Sequence, residues 1–197
     1  MYNFYKLQLE QSINRAIYVG KLTKKTNKDN YNYLIINGHK LYTLLDSFDK
    51  SGMYTREITL EDISSFKQTV LYVGKGRNRR KLSHLSNAAK LSVGQLKGTK
   101  YTHYTDILKT WNSGSGVITL QIYSNSVHYL SLCREMSLIR TIGRNYLGNS
   151  REGSCYGVMK VWTSEEIFNF GEILLYFALE QCLKDRPSEY FLDDFPK

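Results

Sequence analysis

Between residues 69 and 91 the chain changes its period once, and that change limits what it can build. Thr69-Val70-Leu71-Tyr72-Val73 is a β-favouring run with the length of a buried strand. Gly74-Lys75-Gly76 follows. Leu82, Leu85 and Ala89 then recur at helical spacing, so a helix is expected from about Asn78 to Leu91. Gly74 is expected to turn the chain, because a residue without a Cβ allows a close backbone approach. Arg80 and His84, four residues apart, share one face of that helix. A permanently charged, planar guanidinium at the start of a helix suits a phosphate.

The remaining sequence supplies a frame for this unit. Ala16-Ile17-Tyr18-Val19-Gly20 reads as a strand, and Lys21 to Asn30 as a turn or loop. Tyr31 to Ile36 is β-favouring. Asn37-Gly38 is a tight-turn signal, and Leu41 to Leu45 reads as the next strand. A short helix is expected near Leu60 to Phe66, a loop around Gly94 and Gly98, and another short helix from Thr105 to Trp111. Val117 to Tyr123 alternates as a strand, and Val127 to Ile142 is a helix stopped by Gly143. Gly157 to Trp162 reads as a short strand. Thr163 with Glu166 is a capping box that opens a helix to about Leu183, with Ile167, Phe170, Leu174, Phe177 and Ala178 facing the core. The order β-β-β-β-α-(α)-β-α-α predicts an α+β fold. It would be a small mixed or antiparallel sheet flanked by helices, with an N-terminal strand extension and a C-terminal helix. Residues 1–39 are expected to pack as an extension on a domain of residues 40–197.

Charge narrows the partner. The 197 residues carry a net charge of +9, and it is unevenly placed: residues 75–109 hold net +8, whereas residues 164–197 hold net −5. A concentrated positive segment beside Arg80 points to a polyanion, although composition does not separate DNA, RNA and a membrane surface. Cys133, Cys155 and Cys182 are odd in number and form no CxxC, so neither a disulfide framework nor a zinc site is expected. No apolar run is long enough for a bilayer and no signal-peptide pattern opens the chain, so an intracellular location, nuclear or cytoplasmic, is expected.

Taken together, these residues resemble the GIY-YIG nuclease superfamily. Tyr72-Val73-Gly74 looks like its second signature element. Tyr42, in Leu41-Tyr42-Thr43-Leu44-Leu45-Asp46, looks like the tyrosine of the first. Arg80 and His84 match the basic residues of its first core helix, Glu135 in Cys133-Arg134-Glu135-Met136 its metal-binding glutamate, and Asn149 the asparagine after that helix. Within the superfamily the chain is most similar to the eukaryotic ankyrin-repeat and LEM-domain branch. The points of likeness are the Leu-Leu-Asp strand end, the long insertion before Tyr72, the Tyr-Val-Gly-Lys-Gly run, Trp111 to Val117, and Tyr156-Gly157. The likeness covers about residues 40–185. It departs at the first element, which is not Gly-Ile-Tyr here. No ankyrin or LEM segment is read, so the chain is expected to be a fragment or a small stand-alone relative.

The resemblance implies a metal-dependent endonuclease acting on DNA, and the eukaryotic branch implies branched or flapped substrates. It implies one Mg²⁺ or Mn²⁺ held by Glu135, with Arg80 on a non-bridging phosphate oxygen. Tyr42 would be the base, its phenolate favoured by Lys75, and Tyr72 and His84 would orient or share proton transfer. Gly74, Lys75, Arg77, Arg79 and Asn149 would bind or position the substrate. Arg80 is preferred over Arg77 and Arg79 for its register with His84. His103 and His128 read as surface or packing residues. Tyr18-Val19-Gly20-Lys21 echoes the motif but reads as a structural strand. Two other functions fit parts of the pattern: a non-catalytic nucleic-acid-binding module, and a site-specific nuclease of restriction or homing type.

Overall fold

A computed structural model describes residues 29–50, 57–92, 102–154 and 157–195. The strand expected at residues 16–20 and the loop around Gly94 and Gly98 lie outside these. The fold is α+β, as predicted. Three antiparallel strands, β1 (Asn30–Asn37), β2 (Val70–Gly76) and β3 (Val117–Ser126), lie in the order β2-β1-β3. Six α-helices surround them among the described residues: α1 (Gly38–Lys50), α2 (Leu60–Lys67), α3 (Arg80–Ser92), α4 (Thr102–Asn112), α5 (His128–Ile142) and α6 (Ser164–Asp185).

The central strand is buried on both faces, so its side chains divide between two cores by the period of two that a strand imposes. Tyr31, Tyr33 and Ile35 face α3 and α4, packing with Leu85, Ala88, Tyr104 and Ile107. Leu34 and Ile36 face the larger core of α1, α2, α5 and α6, with Leu41, Phe66, Met136 and Leu175. A division between residues 39 and 40 would therefore cut the central strand away from its own sheet.

Three sequence expectations are corrected. Leu41 to Leu45 is not a strand. It belongs to α1, where Leu41, Leu45 and Phe48 are buried at i, i+4 and i+7. Asn37-Gly38 is accordingly no hairpin turn: Asn37 Oδ1 accepts the Lys40 backbone N–H at 3.0 Å and caps the helix. Gly157–Val161 is a 3-10 turn rather than a strand. The capping box at Thr163 and Glu166 does open α6, and Gly143, with φ 94°, does end α5.

A register shift between Ile35 and Ile36 leaves Leu71 without a partner in β1: Ile36 pairs with Val70 and Ile35 with Tyr72. Such a bulge flips the alternation. Val70 and Val73 both face the larger core, and Tyr72 is turned to the side of Tyr33. β2 then runs on through Gly76, so Gly74 is a strand residue directly opposite Tyr33 and not the turn that its neighbours imply.

Candidate active site

Gly74 makes room for a tyrosine. A Cβ added there would lie under 3.0 Å from Cζ, Oη and Cε1 of Tyr33, so the Tyr33 ring fills the space that a side chain would occupy. Gly76 gives the same clearance to the Cβ of Arg80 at the first turn of α3. The loop before α3 is pinned by Tyr31, whose hydroxyl donates to Asn78 O at 2.6 Å and accepts from Lys81 N.

Behind this strand runs a hydrogen-bond chain whose direction is fixed by its last member. Gly148 O can only accept, so the Nδ1 of His103, 3.3 Å away, carries a proton. Burial keeps His103 below its ordinary pKa, and it is neutral, so its Nε2 accepts. His84 Nδ1, 3.0 Å distant, must then donate. Burial first, then His103 and Arg80, depress His84 to about 3, and it too is neutral. Its Nε2 therefore accepts the Tyr33 hydroxyl proton at 2.6 Å. Tyr33 is raised above the ordinary tyrosine value, chiefly by burial. His103, expected as packing, is thus a working part of this wall. Its ring lies 4.5 Å from that of Tyr72.

In front of the wall, two adjoining cavities of about 560 and 530 Å³ share Tyr72, Arg80 and Glu135. The first is also lined by His84, His103 and Asn149, the second by Lys75, Arg77 and His128. Glu135, on α5, accepts from the Lys75 backbone. Burial pushes its carboxyl up to about 7, against the opposing pull of Lys75 and Arg80. Tyr72 is pushed up to about 12, first by burial and then by Glu135, while Arg80 opposes the rise. The exposed Arg80 is thus within electrostatic reach of Tyr33, Tyr72, His84 and Glu135.

Asn149 acts on the strand itself. Its Oδ1 accepts Val73 N at 3.0 Å and its Nδ2 donates to Val73 O at 2.8 Å. Gly148 N donates to Leu71 O at 2.9 Å. The 148–149 segment therefore pairs along the outer edge of β2 and holds Tyr72 in place. Arg77 is tied to Asn30 Oδ1 and Asp29, each at 3.2 Å, and Arg79 is exposed.

Tyr42 is elsewhere. It sits on α1, its hydroxyl donates to Pro187 O at 2.8 Å, and it lines neither cavity. The tyrosine that meets Tyr72 and His84 is Tyr33, one strand earlier. The alternation Tyr31-Asn32-Tyr33 was the available signal, since it puts two aromatic hydroxyls on one strand face. His103 has no such signal, because only the folding of α4 against α3 brings it to His84.

Among the described residues no group of three or more His, Cys, Asp or Glu gathers as a metal cluster, and no helix is long and apolar enough to cross a membrane. No solved structure matches the chain. It is similar to the ankyrin repeat and LEM domain-containing protein 1 of Homo sapiens, 29% identical over 154 residues, covering 74% of this chain and 24% of that protein. The Mus musculus protein of the same name is 30% identical over 75% of this chain and 28% of its own length. The Caenorhabditis elegans homolog is 28% identical over 65% and 18%. The chain thus spans about a quarter or less of the relatives it matches. Residues 30–197 match the LEM-3-like GIY-YIG domain, so this chain belongs to that family, within the GIY-YIG nuclease superfamily.

Proposed function

We propose that the chain is a divalent-metal-dependent DNA endonuclease that hydrolyses phosphodiester bonds and selects branched or flapped DNA. The observation that carries this reading is the convergence of Tyr72, Arg80, His84 and Glu135 on one open cavity. Mg²⁺ fits the donor set. It keeps several waters and needs few carboxylates. Glu135 is a carboxylate whose charge is disfavoured by burial, despite Lys75 and Arg80, so a further cation would be welcome there. Mn²⁺ suits the same oxygen donors. Glu135 would hold the ion, which when bound supplies positive charge for the phosphate and the leaving oxygen and offsets the push of Glu135 on Tyr72.

The chain's own residues do the rest. Arg80 binds a non-bridging oxygen, where its fixed charge is worth most as negative charge develops. Tyr72 is the tyrosine that lines both cavities beside Arg80 and Glu135, so it orients the attacking water and, as phenolate, takes a proton at Oη. Tyr33, His84 and His103 hold Tyr72 from behind in one arrangement of protons. Asn149 fixes the strand, and Lys75 and Arg79 meet the substrate backbone. Selection by structure is the expectation carried by the likeness to the ankyrin-repeat and LEM-domain branch.

Incubating the chain with linear duplex, flapped and four-way DNA, with Mg²⁺ or EDTA, tests this. Cleavage of the branched forms is expected with Mg²⁺ alone, and Glu135→Gln should abolish it while DNA binding persists. Equal cleavage by that variant would remove Glu135 from the reaction. Equal rates on all DNAs would remove the structure selectivity, and binding without product under either ion would leave a binding module.

A further inference from the structure

We propose that a second cavity, at the opposite end of β2, binds a single-stranded arm of the DNA substrate; this rests on the nuclease reading above. The cavity measures about 940 Å³ and is separate from the two around Glu135. Its floor is apolar, made by Val70, Leu71, Ile142 and Leu147, and its rim carries Lys40, Lys67 and Lys109 against a single Asp106. Lys67 is paired with Glu172. Among the described residues Lys40 reaches the Gln68 carbonyl at 3.5 Å and Lys109 reaches Asp106 at 3.5 Å, both on the exposed surface. At the edge stands Tyr146, 83% exposed, in a 3-10 turn that also carries the exposed Arg144.

The composition of this groove selects its occupant. A duplex offers phosphates to a groove of this size and nothing for an apolar floor or a free aromatic ring. A single strand offers both phosphates and unstacked bases, and base-on-aromatic stacking beside a cationic track is the usual physics of single-strand binding. Its position fits an arm that leaves the reaction site. The floor residues Val70 and Leu71 directly precede Tyr72 in β2, so the two sites meet at consecutive residues of that strand. One segment borders both: Asn145, Tyr146 and Leu147 line the groove, while Gly148, Asn149, Ser150 and Arg151 line the cavity with Glu135. An unpaired strand drawn over Tyr146 would thus set the junction against Arg80 and Glu135.

The test compares three probes by fluorescence anisotropy in EDTA: a twelve-residue oligothymidylate, a blunt duplex, and the same duplex with a single-stranded flap. The wild-type chain should bind the flapped form more tightly than the blunt one. Tyr146→Ala should weaken flap and oligothymidylate binding at least about five-fold and bring the flap-to-duplex ratio towards one. Lys40→Ala with Lys109→Ala should flatten the salt dependence of oligothymidylate binding. All three side chains are exposed, and a matched thermal melt would show that the variants fold. Wild-type ratios and salt slopes in both variants would overturn the groove. If the wild-type chain cuts no DNA with Mg²⁺ or Mn²⁺, the nuclease reading fails, and the affinity ratios still decide the groove on their own.

Discussion

Tyr33 and Gly74 are register partners across β1 and β2, and the tyrosine ring occupies the space where any side chain on residue 74 would have to stand. Gly74→Ala is therefore expected to push Tyr33 from its bond to His84. Overpacking of this kind costs about 1–3 kcal/mol. Thermal melts should show that loss, and cleavage should fall by more than the lost stability accounts for. An alanine variant with wild-type turnover would mean that Tyr33 has no part in placing Tyr72.

Glu135 links the site to stability through pH. Its folded pKa is about 7 against an ordinary 4.5, so the folded chain holds this proton more tightly than the unfolded chain does. Its contribution is whole below pH 4.5 and is lost as pH rises through about 7. Glu135→Gln, neutral throughout, should then be the more stable protein at pH 8, by on the order of 2 kcal/mol, with the gap closing by pH 4.5. Urea titrations without divalent ions at pH 4.5, 6 and 8 measure this. A gap of constant size would show that the carboxylate is well solvated.

His103 touches no reacting atom in the proposed mechanism and acts through His84. His103→Leu removes the acceptor for His84 Nδ1–H and frees the tautomer. By analogy with other outer-shell histidine partners, kcat should fall about ten-fold or more with KM little changed. His103→Gln, which can still donate and accept, should recover part of it. Nitrogen-15 shifts of His84 would report the tautomer directly, and the same shifts in wild type and His103→Leu would exclude this role.

Tyr42 supplies the contrast. Tyr42→Phe deletes one hydrogen bond to Pro187, worth about 1 kcal/mol, on a helix away from the cavity. It should melt slightly earlier and cleave as wild type does, whereas Tyr72→Phe and Tyr33→Phe should both be slow. A large loss in Tyr42→Phe would restore it as a candidate base.

The parts of the molecule legible in the sequence are those where one local pattern speaks alone. The β2 strand, the helix carrying Arg80 and His84, the helix carrying Glu135 and the capped C-terminal helix all follow from period and end signals. Tyr42 shows where local signals compete. Asn37-Gly38 marks a hairpin or a helix start with equal force, and five residues from Leu41 do not separate a strand from a helix. Only the burial of Phe48 on the same stripe decides it. Tyr33 and His103 were hidden for another reason. The role of His103 arises from helix packing, which leaves no spacing in the chain, and the alternation Tyr31-Asn32-Tyr33 marks the strand face of Tyr33 without its partner across the sheet.

The Asn149 amide has a consequence outside chemistry. A sheet of three strands has two open flanks, and an exposed flank invites a strand from another molecule. The side chain of Asn149 takes both the N–H and the C=O of Val73, Gly148 takes the C=O of Leu71, and on the far flank Val117 is bridged to Tyr190 by two bonds of 2.8 Å. The bonds that steady Tyr72 also occupy both backbone groups of Val73 and the carbonyl of Leu71, which a neighbouring strand would otherwise take. A chain that loses Asn149 would be expected to show the damage first as aggregation at high concentration, before any assay of cleavage was begun.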